Sequence, residues 1–515
     1  MSTFQLLDTC MDEMRKDLLQ ILNWFKTVSP CFGVCGRNVR ILDTPTEYFE
    51  ALKANARKAE KRIVISALYL GTGALEKELI DCLHNVSRQK SSQGLKVHVL
   101  LDYTRGTRGE SNSRSLLLPL LKDTETTVQV SLFHTPELRG IWKKLIPERV
   151  NETIGVQHIK SYIFDDTVII SGANLSESYF TNRQDRYVVI ENSPEVADFF
   201  NNLVSAVSSF SFQLAPDDTV GLNNDLELHP YLGDQGSFKQ EARKRLQEVL
   251  SKDFFRTEKH DNKESENLQI NTSQSSTANS GENESGDIKV SENKSKESNS
   301  VEGDVDTWVC PLVQMGIFGI THDHDVTQGF WKKALPNSKI LMASGYFNLT
   351  DHYMDVILQN SRANFSILMA SEEVNGFYGA RGLAGNIPAV YTHIAKGFYD
   401  RICAMNLEER IKLFEFYKPQ WTYHAKGLWY YLPGSNLPSV TFVGSPNFGH
   451  RSVNRDLEAQ IAVITTNSQL KEQLHQEASN LWAHGEAVDE ETFQQPHRQV
   501  HWLLRFFTRY VRSYF

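Results

Sequence analysis

The sequence predicts a duplicated α/β fold, in which two mixed β-sheets flanked by helices are related by a pseudo-twofold axis, with an active site at the seam. Three observations lead to this prediction. Strand-like runs alternate with segments of helical length, one order of motifs occurs twice in the 515 residues, and a low-complexity segment separates the two copies. The composition, with 40% hydrophobic and 23% charged residues, is typical of a folded enzyme.

Residues 1–37 predict an amphipathic N-terminal segment. Leu18, Leu22 and Phe25 recur at helical spacing, so this helix either packs on the body of the protein or lies at a membrane surface. Its acidic residues are unlike an arginine-rich mitochondrial import sequence. The six cysteines are scattered and predict no disulfide framework and a reducing compartment. Cys31 and Cys35 have no second Cys/His pair nearby to complete a metal site.

Two halves of similar size follow, residues 38–255 and 305–484. Each contains strands that run into glycine-containing loops, and these stretches are Lys61–Gly73 and Leu95–Gly109 in the first half and Ser338–Thr350 and Phe365–Gly382 in the second. Between the halves, residues 256–304 are rich in Ser, Asn, Glu and Lys. They cannot bury enough apolar surface to offset chain entropy, so we predict a disordered acidic linker.

The strongest functional signal lies near the end of each half. A His-x-Lys sequence on a β-type run is followed by a small-residue turn with an Asn, and a carboxylate comes eleven residues after that Asn. The two sets are His158, Lys160, Asn174 and Asp185, and His424, Lys426, Asn447 and Glu458. Residues i and i+2 of a strand share a face, so each His and Lys can reach one ligand group together.

Two such sets face to face suit a phosphodiester or a pyrophosphate. Lysines offset its charge, amides bind its non-bridging oxygens, and one imidazole can attack phosphorus while the other protonates the leaving oxygen. Asp185 or Glu458 could orient a ring through its other nitrogen. A lone His-x-Lys is usually surface decoration, but two copies with matched offsets favour catalysis.

The motif resembles the phospholipase D superfamily, whose signature is His-x-Lys-x4-Asp with a downstream Asn turn. The first copy matches at His158, Lys160 and Asp165, whereas the second has Tyr431 at the Asp position. We therefore count Asp165 with the catalytic motif. Its odd offset from His158 puts it on the other strand face, which indicates support rather than chemistry.

Ser66–Leu83, "HIKSYIFDD", "GANLSESYFTNRQDRY" and Gly376–Tyr391 are similar to the eukaryotic phosphatidylglycerophosphate synthases. The resemblance implies a duplicated phospholipase D-like fold and transfer of a phosphatidyl group from CDP-diacylglycerol to glycerol 3-phosphate through a phosphatidyl-histidine. It also implies cardiolipin synthesis on the matrix side of the mitochondrial inner membrane. By precedent in the superfamily, the resemblance also implies that His158 is the nucleophile. We expect no metal and no cofactor, because Lys160 and Lys426 supply positive charge.

Alternatives remain open at the level of sequence. A phospholipase D, a phosphodiesterase or a phosphatidylserine synthase could use the same fold, and a non-catalytic lipid-binding scaffold is a further possibility. Arg105, Arg108 and Arg381 lie on glycine-containing loops and are candidate substrate-binding residues, with a solvated charged loop as the alternative.

The C-terminal residues 485–515 predict a basic amphipathic tail. Arg505, Arg509 and Arg512 share one helical face, and the apolar residues Val500, Leu503, Leu504, Phe507, Val511 and Tyr514 fall broadly on the other. This pattern favours peripheral contact with an anionic membrane, and a helix docked on the body is the alternative. The net charge of −9 argues against a nucleic-acid partner, and the absence of a long apolar run argues against a transmembrane helix.

Overall fold

The computed structural model describes residues 3–123, 125–222, 228–251, 305–380, 385–498 and 500–512. Two nine-stranded mixed sheets and one two-stranded sheet make up its β-structure. The predicted linker 256–304 lies outside the described residues. The predicted fold class, a duplicated α/β structure with two mixed sheets and flanking helices, is confirmed.

The two large sheets repeat the same pattern: parallel strands at one side continue into an antiparallel meander. The first sheet is ordered Val220–Leu222, Phe212–Leu214, Thr127–Phe133, Lys96–Asp102, Arg62–Ser66, Ser161–Phe164, Thr167–Ser171, Tyr187–Ile190 and Val39–Leu42. The second is ordered Phe32–Val34, Thr307–Gln314, Glu458–Thr465, Val440–Gly444, Lys426–Tyr431, Lys339–Ser344, Asn364–Ala370, Ile411–Phe416 and Gly485–Ala487.

Helices cover the outer faces of both sheets and connect the parallel strands. In the first half and before it they are Thr3–Val28, Pro45–Lys58, Ala74–Gln89, Tyr103–Gly106, Ser113–Lys122, Gly140–Leu145, Glu148–Asn151, Glu177–Thr181, Pro194–Ser209 and 235–251. In the second half and after it they are His322–Lys333, Asp351–Asp355 with the π-turn Val356–Asn360, Ile387–Ala404, His450–Asn454, Ser468–Trp482, Glu490–Gln494 and Trp502–Val511. Short 3-10 turns lie at Gly36–Asn38, Ser91–Gln93, Gly316–Phe318 and Pro496–Arg498.

The central strands are apolar on both faces because each sheet is covered on both sides. Tyr187–Ile190 and Glu458–Thr465 are buried along their whole length. One apolar core contains side chains from both halves, including Ile163 and Val188 of the first and Val443 of the second. The two halves therefore share a hydrophobic interior, and the seam between them is a packed interface.

The N-terminal segment packs against the second half and adds one strand to the second sheet. Leu18, Leu22 and Phe25 are buried in the core of the second half, so this helix packs on the body. Phe32–Val34 pairs antiparallel with Thr307–Gln314 at the sheet edge. Next to this pairing, Cys31 and Cys310 form a disulfide, so the expectation from cysteine spacing was wrong for these two residues. They lie far apart in sequence, and only the strand pairing brings them together.

A buried ion pair fastens the two halves to each other. The guanidinium of Arg186 makes a bidentate contact with Glu477, with nitrogen–oxygen distances of 2.9 and 2.7 Å. Arg186 also donates to the carbonyl oxygen of Phe442 at 2.7 Å, and the indole of Trp429 donates to Glu477 at 2.8 Å. Each of the three guanidinium nitrogens donates to an acceptor, and such hydrogen bonding is the condition under which a buried ion pair is tolerated.

The C-terminal helix Trp502–Val511 docks against Ile387–Ala404. Leu504 packs on the core of the second half and Thr508 is buried, whereas Trp502 and Phe506 are exposed at 65% and 59%. Arg512 donates to Asn348 and Asp351 and does not lie on a free basic face, contrary to the sequence prediction. The predicted faces also involve Leu503, Phe507, Arg509 and Val511, of which the structure describes the backbone alone, and Tyr514, which lies outside the described residues.

Among the described residues, every helix is either too short or too polar to span a bilayer.

Candidate active site

Two short backbone pairings cross the seam and set the geometry of the site. The N–H of His424 donates to the carbonyl of Gln184 at 2.8 Å, within the parallel pairing of Arg183–Gln184 with Thr422–Tyr423. The N–H of His158 likewise donates to the carbonyl of Leu457 at 2.9 Å, beside a parallel bridge between Gln157 and Leu457. Each histidine is thus aligned with the residue that precedes the carboxylate of the other half.

The first crosswise pair joins His158 to Glu458. Nδ1 of His158 lies 2.8 Å from Oε2 of Glu458, whose other oxygen accepts from the Ser452 hydroxyl at 2.8 Å. Burial lowers the pKa of His158 although Glu458 opposes this effect. Burial pushes the pKa of Glu458 up, but His158 and Lys160 outweigh it and hold that pKa below its ordinary value. A neutral imidazole beside an ionised carboxylate leaves Nε2 of His158 with a free lone pair.

The second crosswise pair joins His424 to Asp185. Nδ1 of His424 lies 2.6 Å from Oδ2 of Asp185 and 2.6 Å from Nζ of Lys426. Burial, with the charges of Lys426 and Arg183, lowers the pKa of His424 well below its ordinary value. Burial also raises the pKa of Asp185, against the effect of Lys426. With Nδ1 occupied, only Nε2 of His424 can exchange a proton with a substrate.

The two lysines turn back onto the histidines of their own motifs. Nζ of Lys160 donates to the carbonyl of His158 at 2.9 Å, and Nζ of Lys426 donates to that of His424 at 2.7 Å. Burial lowers the pKa of Lys160 to about 7 and also lowers the pKa of Lys426. Both ammonium groups are stabilised when an anion enters the site, because the anion offsets the cost of burial. His158 and Lys160 act on the pKa of His424, so both motifs share one electrostatic environment.

The predicted strand placement of the motifs is only partly right. Ser161–Phe164 begins after Lys160, while Lys426–Tyr431 begins at Lys426. Both histidines therefore lie in the extended connections that cross the seam. Two glycines permit the close approach: a Cβ at Gly172 would lie 2.5 Å from Asp185 and 2.8 Å from Lys426, and one at Gly345 would lie 2.7 Å from Cα of His424.

The two predicted asparagines stand at the turns beyond the motifs. Nδ2 of Asn174 donates to the hydroxyl of Tyr179 at 3.1 Å, and the backbone N–H of Asn447 donates to Ser452 at 3.0 Å. The side-chain oxygen of each asparagine is buried without a hydrogen-bond partner in the described residues. Within this described part of the chain, each of these oxygens is a free hydrogen-bond acceptor next to a His-x-Lys motif, so the two side chains are suited to bind a polar ligand.

Asp165 has a structural position. It is in the left-handed conformation, with φ of 52°, and its carboxylate accepts the N–H groups of Glu60, Lys61 and Arg62 at 2.7–2.9 Å. Its grouping with the catalytic residues is therefore corrected, because its carboxylate holds the turn that leads into the strand Arg62–Ser66. In the second half, the ring of Tyr431 packs under Lys339 at 4.3 Å and its hydroxyl contacts His475 at 3.2 Å, so contacts of another kind occupy that position.

The arginines proposed from the glycine-containing loops have different surroundings. Arg105 lies over the ring of Tyr69 at 4.1 Å and is 3.8 Å from Glu152. Arg108 also pairs with Glu152. Both cations thus have a carboxylate partner in the protein. Arg381 lies outside the described residues.

A possible metal-ligand group includes His158. Ligand atoms of His158, Asp456 and Glu458 all lie within 4.8 Å of one another. The carboxylates already have partners, because Asp456 accepts from the Val156 N–H at 3.1 Å and pairs with Arg451 at 3.1 Å. The lysine charges nearby also disfavour a divalent cation. These residues therefore fit a hydrogen-bonded network better than a metal site.

Three side chains that the sequence analysis missed surround His424. The rings of Tyr179 and Tyr346 meet that of His424 edge-on, with centroid separations of 5.1 and 5.3 Å. The guanidinium of Arg183 lies over Tyr179 at 4.6 Å. Arg183 stands two residues before Asp185, and in an extended chain two residues at this spacing point to the same side. That spacing is the signal that could have identified Arg183.

Known proteins share this fold. The family model for the cardiolipin synthase PLD-like domain matches residues 52–206. A crystal structure of phosphatidylserine synthase from Haemophilus influenzae superposes with a TM-score of 0.66 at 18% identity, covering 97% of this chain and 99% of that one. Residues 52–206 thus match a phospholipase D-like domain, and the chain as a whole has the fold of that synthase.

Relatives of higher identity narrow the assignment. The mitochondrial CDP-diacylglycerol–glycerol-3-phosphate 3-phosphatidyltransferases of Bos taurus and Homo sapiens are each 46% identical over 500 residues, covering 96% of this chain and 85% of theirs. The corresponding protein of Saccharomyces pastorianus is 31% identical, covering 90% of this chain and 85% of its own. The chain belongs to the family of CDP-diacylglycerol–glycerol-3-phosphate 3-phosphatidyltransferases, as the sequence motifs predicted.

Proposed function

We propose that the protein transfers the phosphatidyl group of CDP-diacylglycerol to glycerol 3-phosphate, giving phosphatidylglycerophosphate and CMP through a phosphatidyl-histidine. The observation that carries this proposal is the crosswise pairing of His158 with Glu458 and His424 with Asp185. It gives two imidazoles whose Nδ1 atoms are occupied and whose Nε2 atoms are left for chemistry. Family membership supports the choice of substrates.

In the first step, Nε2 of His158 attacks the phosphorus that bears diacylglycerol. A phosphorus–nitrogen bond forms, the bond to the bridging oxygen breaks, and His424 gives its Nε2 proton to the departing CMP. His424 is neutral when the site is empty because its pKa is low. The negative diphosphate raises that pKa on binding, so His424 gains its proton together with the substrate.

In the second step, a hydroxyl of glycerol 3-phosphate replaces CMP. His424 removes the hydroxyl proton, the oxygen attacks phosphorus, and the phosphorus–nitrogen bond to His158 breaks. Lys160 and Lys426, together with the amides of Asn174 and Asn447, stabilise the charge on the non-bridging oxygens. Asp185 and Glu458 fix the orientation of the two imidazole rings and stabilise the positive charge of each ring when it is protonated. No residue of the scheme needs a metal ion.

Transfer is favoured over hydrolysis by the relatives, which are named as phosphatidyltransferases. His158 is 7% exposed and His424 is 3% exposed, so any acceptor must enter a largely closed site to reach the intermediate. Family membership speaks against the alternative of a phospholipase D that uses water as acceptor. The intact His424–Asp185 pair also speaks against a non-catalytic scaffold with a decayed second site.

The membrane would supply the lipid substrate. We place the protein in mitochondria, on the matrix side of the inner membrane, because the relatives are named as mitochondrial and because their named donor substrate is a lipid. The exposed Trp502 and Phe506 of the C-terminal helix support peripheral contact with an anionic bilayer. A second short helix, Gly140–Leu145, exposes Ile141, Trp142 and Leu145 beside two lysines.

Product analysis tests the reaction. Purified protein with CDP-diacylglycerol and glycerol 3-phosphate is expected to form phosphatidylglycerophosphate and CMP. His158→Ala and His424→Ala should each lower turnover by ~10³-fold or more, because each step loses its nucleophile or its proton carrier. His352→Ala, at an exposed histidine, is the matched control. Without acceptor, donor labelled in its phosphatidyl phosphate should label the wild-type protein but not His158→Ala.

Two outcomes would contradict this mechanism. One is a normal rate in a correctly folded His158→Ala variant. The other is strict dependence on Mg²⁺ after complete chelation, which would assign His158, Asp456 and Glu458 to a metal ion instead.

Vesicle flotation tests the membrane contact. The double variant Trp502→Ser/Phe506→Ser should bind anionic vesicles several-fold more weakly than the wild type, because each exposed aromatic ring loses its place at the bilayer interface. Tyr417→Ser, at an aromatic residue that is 46% exposed elsewhere, is the control. Equal binding by all three proteins would remove the C-terminal helix from the interface.

A further inference from the structure

Arg183 is a cation that contacts a phenol ring and a hydroxyl. It is half-buried on the short strand that crosses the seam, its Nε donates to the hydroxyl of Thr422 at 2.9 Å, and its guanidinium lies over the ring of Tyr179 at 4.6 Å. Among the described residues, no carboxylate forms an ion pair with it. A guanidinium removed from water without an anionic partner is costly, so this position favours an anionic ligand.

The other candidate arginines lack this property. Arg105 and Arg108 share the carboxylate of Glu152, so each guanidinium already has an anionic contact in the protein, although the single charge of Glu152 offsets only one of the two. Arg186 is fully committed to Glu477 and to backbone acceptors. Of the arginines considered near the seam, Arg183 is therefore the one best suited to receive a phosphate group from outside the protein.

The position of Arg183 specifies which part of the reaction it serves. His424 follows the strand that pairs with Arg183, and the charge of Arg183 contributes to the low pKa of His424. Tyr179 lies between the two, with its ring edge-on to His424 and under the guanidinium. The hydroxyl of Tyr179 accepts from Asn174, so its own proton can be donated to a ligand.

We propose that Arg183, assisted by the Tyr179 hydroxyl, binds a phosphate monoester on the His424 side of the active site and thereby selects a phosphorylated acceptor. This inference rests on the proposed function. Two molecules of the reaction can bring such a group there: the product CMP, as it leaves, and the substrate glycerol 3-phosphate, as it enters. The planar fork of a guanidinium matches two phosphate oxygens, which a lysine ammonium cannot do.

The consequence for the reaction is selection between acceptors. Glycerol and water also present a hydroxyl group that can attack phosphorus, but they have no phosphate for Arg183 to bind. A bound phosphate would fix the attacking hydroxyl near Nε2 of His424, and correct positioning of this kind accounts for large differences in rate. Arg183 is thus a specificity-determining residue, whereas proton transfer remains with His424.

The test compares acceptors in Arg183→Gln and Arg183→Lys variants. The measured quantity is the ratio of kcat/KM for glycerol 3-phosphate to that for glycerol, with CDP-diacylglycerol as donor. Arg183→Gln should lower this ratio by ~10-fold to 100-fold, the loss expected for a charge-assisted hydrogen bond. Arg183→Lys should give a smaller loss because it keeps the charge but not the fork. Arg40→Gln, at an exposed arginine, should leave the ratio unchanged.

The outcomes separate the two phosphate sources. A lower acceptor ratio assigns the site to glycerol 3-phosphate. An unchanged ratio with weaker inhibition by CMP and a higher KM for CDP-diacylglycerol assigns it to the nucleotide phosphate, and still supports a phosphate site. A folded variant in which rates with both acceptors fall equally while CMP inhibition stays the same would overturn the inference. Failure of the wild type to form phosphatidylglycerophosphate would instead refute the proposed function.

Discussion

At the scale of single residues, the distinctive feature is that each carboxylate serves the histidine of the opposite half. Glu458 contacts His158 and Asp185 contacts His424, because each histidine pairs through its backbone with the residue before the partner carboxylate. Neither half contains a complete site. Both copies of the motif are therefore needed to assemble the two pairs, although Tyr431 stands at the Asp position of the second motif.

The pH dependence of the first step should report the His158–Glu458 pair. His158 must be neutral to attack, and burial lowers its pKa from the ordinary value. The quantity kcat/KM for CDP-diacylglycerol should therefore fall as the pH drops through that lowered pKa. The charge of Glu458 opposes this lowering. In Glu458→Gln the acid limb should therefore move to still lower pH, while the maximal rate falls by ~10-fold to 100-fold because the ring is held less firmly.

Rate measurements across the pH range check this prediction, with Glu191→Gln, at an exposed carboxylate outside the histidine pairs, as the control. An acid limb that moves to higher pH in Glu458→Gln would contradict the assigned electrostatics. An unchanged limb would show that a group other than His158 controls it.

At the scale of elements, strands position the site and one ion pair holds the strands of the two halves in place. The chain passes from Asp185, in the site, directly to Arg186, whose guanidinium reaches Glu477 on the helix Ser468–Trp482. Alternate residues of an extended chain point to opposite sides, so one strand end supplies both a catalytic contact and a structural one. The motif spacing singles out Asp185, whereas no local pattern in the sequence singles out Arg186.

Removing one partner of this pair should destabilise the protein strongly. Arg186→Met leaves Glu477 buried and without its cation, and should lower the free energy of unfolding by about 3–5 kcal/mol. The double variant Arg186→Met/Glu477→Leu should be less destabilised than the sum of the single variants, because no charge remains unpaired. Urea denaturation measures both, with Arg88→Met at an exposed pair as control. Additive effects would show that the two residues act independently.

At the scale of the whole molecule, the N-terminal segment is part of the second half. Its helix buries Leu18, Leu22 and Phe25 there, and Phe32–Val34 extends the second sheet. Deletion of residues 1–37 should therefore expose the core of the second half and lower the melting temperature, with loss of activity following from instability. Thermal unfolding of the shortened and full chains checks this. An equal melting temperature would mean that the segment is an independent appendage. The proposed division into halves at 38–255 and 305–484 stays a prediction.

The sequence by itself determined the duplication and the fold class, and it selected the paired His, Lys, Asn and acidic residues, whose catalytic role stays a prediction. These follow from local patterns: apolar alternation, turn residues and fixed spacings, which do not need a partner segment to be recognised. The sequence also favoured a supporting role for Asp165, and the contacts of its carboxylate with backbone N–H groups fit that role. The candidate site was predictable to that extent.

The tertiary structure decided which residues meet. The crosswise assignment of Glu458 and Asp185, the place of Arg183 beside His424, the Cys31–Cys310 bond and the docking of the C-terminal helix all depend on contacts between segments far apart in the chain. Local patterns do not predict such contacts, because they arise when segments that are distant in sequence pack together, within one sheet as well as between the two halves. The amino-acid sequence named the chemical groups, and the seam between the halves paired them.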